Sequence, residues 1–307
     1  LSIKFKPYLL ALFLLITMGS LTACTTNREQ STPKTSASKP IRVVASLDFY
    51  GEVAKAVLGD HGSVTTVIKS ASIDPHDFEP SPKDAAQVAH ATVVLANGIG
   101  YDAWMQKLLK SNASKTTTSI RVGEDIMGKK VGDNEHIWYA PATMSRVATV
   151  LAQKFSQQAP QYKHIYHRNA AAYIKSLAPL QNQLKELKQN RKQRAVDVSE
   201  PVFDYALTAL GYHRNNTSFE MAVENGTDPS PKAITAMQRD LKERRIAFFV
   251  NNRQASSKTV TAMLNLAKRH HVPVLNVTET LPAGKNYRTW MTSQYQQLAK
   301  IQHQSTD

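Results

Sequence analysis

Residues 64–109 read VTTVIKSASIDPHDFEPSPKDAAQVAHATVVLANGIGYDAWMQKLL, and this stretch decides the fold. It opens on an apolar, β-branched run at 64–68, the composition of a strand. Three prolines then fall within residues 74–82, which excludes a helix interior or a central strand and leaves a stiff loop. Ser81 stands as an N-cap with Pro82 at the first helical position, so a helix starts there. Residues 92–96 form another strand, closed by Asn97-Gly98, and 100–109 are helical in pattern. Upstream, 41–46 predicts a strand and 50–58 a helix. The resulting β-α-β-α-β-α series is that of a parallel sheet covered by helices.

The same rhythm returns later in the chain. Residues 201–210 and 230–244 are helical, the latter with Pro231 at its start. Residue ranges 246–250 and 272–277 are strands, with a helix at 256–269 between them, and 287–302 closes the chain as a helix. The expected fold class is therefore α/β, with two parallel-sheet lobes at 41–142 and 193–307. Between them, residues 143–192 are glycine-free and helical in pattern, rich in Leu, Ala, Tyr and Lys. Residues 143–158 make one connector helix. Residues 161–192 make a second, about 30 residues and thus about 45 Å long, enough to span both lobes. Pro179 inside it should kink or split it. A helical connector predicts limited rotation of the lobes.

The N-terminus points to export. Lys4 and Lys6 precede an apolar run at 8–18, followed by Gly19-Ser20-Leu21-Thr22-Ala23-Cys24, the layout of a signal peptide over 1–23. Its apolar run is too short for a comfortable membrane span. Cys24 is the only cysteine, so no intramolecular disulfide and no thiolate metal site can form. Leu-Thr-Ala-Cys resembles a bacterial lipobox, which implies cleavage before Cys24 and lipid attachment to it. Residues 24–40 carry TTNREQSTPKTSASKP after the cysteine, a composition that cannot build a core and reads as a flexible tether. The formal net charge of +14 suits a basic surface beside anionic lipid or cell wall, and no nucleic-acid motif accompanies it.

Four candidate metal ligands sit at predicted element boundaries: His76 in the proline-stiffened loop, His136 before the connector, Glu200 before the helix at 201–210, and Glu279 directly after the strand at 272–277. Open α/β sheets bind ligands at the carboxyl ends of their strands, and two candidates come from each lobe. Two imidazoles and two carboxylates make a hard-to-borderline donor set without sulfur. The carboxylates neutralise a divalent cation. Monodentate binding fits four-coordinate Zn²⁺, and bidentate binding raises the number towards that of Mn²⁺.

The runs DPHDFEPSPKDAAQVAHATVVLANGIGYDAWMQKLL (74–109), EHIWYAPATM (135–144) and SEPVFDYALTALGY (199–212), with the stretch 219–282, are similar to the cluster 9 solute-binding lipoproteins of manganese and zinc ABC importers. The likeness covers nearly all of 41–302. It implies that His76, His136, Glu200 and Glu279 ligate one divalent metal ion as transported cargo. It also implies as partners an ABC permease with its ATPase, and the cell membrane through lipid on Cys24. The protein is expected to be a monomer at the outer face of a Gram-positive cell membrane, without nucleic acid as a partner. Glu at position 200, held by His in many zinc members, favours Mn²⁺; the absence of His between residues 111 and 135 leans the same way. A zinc-specific importer protein and a surface adhesin with a structural metal are the alternatives.

A metallohydrolase is disfavoured: the chain has no His-Glu-x-x-His, no Gly-x-Ser-x-Gly and no P-loop. Asp77 and Glu79 read as loop-orienting or water-binding groups, and Glu135, next to His136, as solvated or as an outer support of a ligand. His164 and His167 read as a solvated helix face, His270-His271 as a helix end, and Trp104, Trp138 and Trp290 as packing. Bound His must be neutral, so metal affinity is expected to fall as the pH drops through about 6.

Overall fold

β1 (Ile41–Leu47) leads into α1 (Asp48–Leu58), and this pair founds the first lobe. β2 (Gly62–Ile68), α2 (Pro82–His90), β3 (Val93–Ala96), α3 (Ala103–Asn112) and β4 (Thr118–Arg121) complete it. All four strands are parallel, in the order β2-β1-β3-β4, with Ile41 opposite Gly62 and Leu47 opposite Ile68. The structure is a computed structural model that describes residues 40–191, 195–255 and 257–304. The leader, Cys24 and nearly all of the tether read from the sequence lie outside the described residues. The described residues make one compact unit. Among the described residues no helix is long and apolar enough to cross a membrane.

The start of α2 is the one the sequence specifies. The Ser81 side chain accepts from the Asp84 amide, Asp84 accepts from the Ser81 amide, and Pro82 occupies the first turn. β4 was not expected. It is a short, polar edge strand, TSIR, whose four residues carry too little alternation to register as a strand.

The connector begins with α4 (Thr143–Gln158), as read from the sequence. The expected long helix at 161–192 is two helices, α5 (Lys163–Ser176) and α6 (Ala178–Gln189). Pro179 explains the division. It lies in the first turn of α6, where a missing N–H breaks no helical hydrogen bond. α5 packs on α4 and α1, so it belongs with the first lobe.

The second sheet is also fully parallel, in the order β6-β5-β7-β8. Its elements are β5 (Ala195–Val198), α7 (Asp204–Leu210), β6 (His213–Arg214), α8 (Thr217–Glu224), α9 (Pro231–Lys242), β7 (Phe249–Asn252), α10 (Lys258–Arg269), β8 (Val274–Val277) and α11 (Tyr287–Gln304). α6 packs against α7 and α11 and so sits with this lobe. β7 starts and ends later than expected, and β5, β6 and α8 were not expected. β5 and β6 are too short for a period-two pattern, and α8 has only eight residues.

One apolar core runs from β1 through the connector to α11, and a smaller one lies under α9 and α10. Between the lobes the larger core is aromatic. Phe49 stands 5.1 Å from Trp138 and 5.8 Å from Trp290, and Tyr139 stands 5.1 Å from Phe203. Hydrogen bonds support this layer: the Tyr287 hydroxyl donates across the boundary to the Trp138 carbonyl at 2.7 Å, and within the second lobe the Trp290 indole donates to Thr278 Oγ1 at 2.8 Å. Such packing predicts that Trp290→Ala lowers stability by about 3–5 kcal/mol. Because both lobes share this core, denaturant unfolding followed by fluorescence and by far-ultraviolet circular dichroism should give one coincident transition. A first step that removes only one lobe would contradict it.

Candidate metal site

The carboxyl ends of both sheets face one another, and every sequence-predicted ligand lies at this junction. β2 leads to the loop of His76, β5 to Glu200 and β8 to Glu279, while His136 precedes a 3₁₀ turn at Ile137–Tyr139. A cleft of about 270 Å³ between the loops is lined by Asp74, Pro75, Glu200, Asn252, Gln254 and Glu279, among others.

His136 is the centre. Its side chain is 1% exposed, yet its Nε2 has no hydrogen-bond partner among the described residues. Nδ1 lies 3.0 Å from Asn134 Oδ1, which also accepts from the His136 amide at 2.9 Å. The Asn134 amide nitrogen donates to the Pro201 carbonyl at 2.7 Å, so the asparagine's orientation is set from the other lobe. In the neutral ring Nδ1 therefore carries the proton, which leaves the Nε2 lone pair to face the junction. Two carboxylate oxygens face it, Glu279 Oε1 at 3.8 Å and Glu224 Oε1 at 3.9 Å. These separations are too long for hydrogen bonds. They are within reach of one ion about 2.1 Å from each atom.

Glu279 is held on three sides. Its Oε1 accepts from the Tyr101 hydroxyl at 2.7 Å, its Oε2 faces the Asn252 amide at 3.4 Å, and its backbone N–H donates to Gln254 Oε1 at 2.6 Å. Glu200 Oε2 accepts from the same Asn252 amide at 2.7 Å, so Asn252, at the end of β7, couples the two glutamates. Gln254 closes the rim: its amide nitrogen donates to the Ala71 carbonyl of the first lobe at 2.6 Å and faces Thr280 Oγ1 at 2.5 Å.

Tyr101 comes from the loop after β3. The buried Asp102 carboxylate accepts from the Asn97 and Gly98 amides at 2.6 and 2.9 Å. This clamps Ile99 in the left-handed region at φ 49°, a costly conformation for a β-branched residue. The clamped loop puts the Tyr101 ring 4.9 Å from the His76 ring and 6.1 Å from that of His136.

His76 is turned differently. Its side chain is 41% exposed and its Nε2 pairs with Glu135 Oε1 at 3.1 Å. Glu135 thus takes the supporting role, one of the two readings its sequence position allows, though on His76 and not on the adjacent His136. Each of His76, Glu135 and Glu224 offers one ligand atom, and the three atoms lie within 4.8 Å of one another. Thus His136 and Glu279 face each other directly, Glu200 joins Glu279 through Asn252, and His76 meets Glu135 and Glu224. Sequence reasoning missed Tyr101, Asn252, Gln254 and Glu224. Only Tyr101, next to Gly98 and Gly100, carried a local signal.

The electrostatics are those of a site built for a cation. The Glu135 bond to His76 raises its pKa to about 9, against the opposing effect of burial. Burial pulls His136 down, but Glu279, Glu224 and Glu135 outweigh it and leave it above the ordinary histidine value. Burial pushes Glu279 up, yet His136, Tyr101 and His76 bring it below the usual carboxylate range. Burial raises Glu200 and lifts Glu224 to about 7, and repulsion from neighbouring glutamates adds to both.

Known proteins share this architecture. The metal ABC transporter substrate-binding lipoprotein ScbA of Streptococcus cristatus is 24% identical over 316 residues, covering 96% of this chain and 98% of that protein. The zinc-binding protein AdcA of Streptococcus pyogenes serotype M3 is 26% identical over 295 residues, covering 85% of this chain and 56% of AdcA. This chain therefore spans little more than half of AdcA. A Mn-bound periplasmic metal binding protein from Candidatus Liberibacter asiaticus has the same fold, with a TM-score of 0.67 at 17% identity over 85% of this chain and 99% of that one. The family described as "ZnuA: Zinc-uptake complex component A periplasmic" matches residues 43–301, and the chain belongs to that family.

Proposed function

We propose that this protein captures one divalent transition-metal ion between its lobes and hands it to the permease of an ABC importer, whose ATPase drives uptake. It is a metal-binding transport component and not an enzyme. The proposed ligands are His76, His136, Glu200 and Glu279, and lipid on Cys24 tethers a monomer to the outer face of the cell membrane. The observation that carries the reading is the His136 Nε2, buried and without a hydrogen bond among the described residues, facing two carboxylates at 3.8 and 3.9 Å. A buried polar nitrogen left so is unfavourable unless a ligand completes it.

Mn²⁺ is the favoured cargo. The donor set is rich in carboxylate oxygen and lacks sulfur, which suits a hard cation of higher coordination number. Zinc is the second reading, favoured by the family description and by the name of AdcA, and by the general order of affinities, which places Zn²⁺ above Mn²⁺.

The full chain purified without chelator should carry one metal ion, and His136→Ala should weaken binding by more than about 100-fold, beyond the effect of losing an outer contact. Elemental analysis with chelator competition reads both, and full occupancy in the variant would sink the assignment. Glu200→His should move preference towards zinc in Mn²⁺/Zn²⁺ competition, since imidazole suits zinc better than manganese.

Proton competition should also be visible. Metal needs neutral His76, whose pKa stands near 9 because of Glu135. Below about 9 a bound ion must displace that proton, and His136, also held above the ordinary histidine value, gives up another, so affinity rises by about tenfold per pH unit or more until both rings are neutral. The fall thus begins well above the value of about 6 expected from an unperturbed histidine. Binding titrations that stay flat between pH 6 and 9 would count against His76 as a ligand.

A further inference from the structure

Glu224 belongs to neither lobe's β-strand termini, yet its carboxylate reaches the centre of the junction. It is the last residue of α8, and its Oε1 lies 3.9 Å from His136 Nε2, almost the distance of Glu279. With His76 and Glu135 it also forms the three-residue group whose ligand atoms lie within 4.8 Å. Glu224 therefore adjoins both histidines of the proposed site.

Its placement is built and not incidental. At the other end of α8, the Asn216 side chain donates to Asp197 at 2.7 Å and to Asp240 at 3.1 Å, and Glu220 pairs with Arg214 at 3.1 Å. Phe219 is fully buried in the smaller core. The helix is thus pinned along its buried side, and its C-terminal end is directed at the cleft. Helix C-termini carry partial negative charge, which makes them a poor place for a carboxylate that has no cation nearby. The chain nevertheless puts Glu224 there, largely buried beside Glu200, Glu135 and Glu279. A divalent ion at His136 reconciles these negative groups, and the unpartnered Nε2 independently marks where it sits.

We propose that Glu224 is a further ligand of the transported ion, and that its added oxygen weights the site towards a cation of coordination number above four, Mn²⁺ over Zn²⁺. This rests on the reading of the junction as a metal site. Four-coordinate zinc is satisfied by four donors, whereas manganese gains from a fifth or sixth oxygen.

The test uses the full chain as wild type, Glu224→Ala and the nearly isosteric Glu224→Gln, titrated with Mn²⁺ and with Zn²⁺ by chelator competition. Mn²⁺ binding is followed in parallel by loss of the free-ion electron paramagnetic resonance signal. Metal-free thermal melts verify that at least the Gln variant folds. The expected result is that both variants lose Mn²⁺ affinity by about tenfold or more and Zn²⁺ affinity by less than about threefold, so the ratio shifts to zinc. Affinities unchanged for both metals, or reduced equally for both, would overturn the proposal while leaving the site itself in place. A wild-type chain that binds neither ion would overturn the site reading and this inference together.

Discussion

The contact of Phe49 with Trp138 and Trp290 is the constraint on which the rest depends. Two parallel sheets each end in loops that carry polar groups, and such loops form a site only if something fixes the distance between them. Here the fixing is done by large, fully buried rings whose packing is specific in shape and costly to loosen. Trp138 lies two residues from His136, and Trp290 donates to Thr278, the neighbour of Glu279. Hence the same aromatic layer that holds the lobes also sets the positions of one imidazole and one carboxylate. The alignment of these side chains follows from the core, not from a separate mechanism.

Much of this was legible in the sequence for identifiable reasons. Strands buried on both faces, such as the one ending at Ala96, announce themselves by continuous apolar runs. The cap at Ser81 and Pro82 has a local chemistry that admits one reading. The four proposed ligands stand out in the sequence because each lies beside a proline, a turn or a strand end. What remained hidden was what depends on tertiary placement. Glu224 sits in TSFEMAVE, an ordinary short amphipathic helix, and nothing in its neighbours marks it as facing His136. Glu135 reads in the sequence as solvated or supporting, and its actual partner stayed hidden because His76 is far away in sequence and next to it only in space. Pro179 showed that the long helix would be disturbed, but only the assembled lobes decide that the break leaves α5 on one side and α6 on the other.

The donor chemistry at the junction is unusual in its balance. Two histidines face a surplus of carboxylates, and the protein tolerates this by burying the groups among fixed dipoles. Asn252 and Tyr101 hold the glutamates, Asn134 holds His136, and each of these partners is itself anchored. Side chains held in this way lose little further freedom on meeting a ligand, which lowers the ordering cost of binding.

The rim of the cleft behaves otherwise. Gln254 accepts from the Glu279 amide and donates to the Ala71 carbonyl, and the Thr280 hydroxyl donates to the same carbonyl at 3.2 Å, so a few side-chain hydrogen bonds link the two loops at the mouth. Each such bond is worth only about 1 kcal/mol net, against the several kcal/mol of the aromatic layer behind it. The molecule thus has a rigid back and a soft front. The rim bonds therefore open locally at a cost that leaves the aromatic layer, and with it the spacing of the lobes, intact.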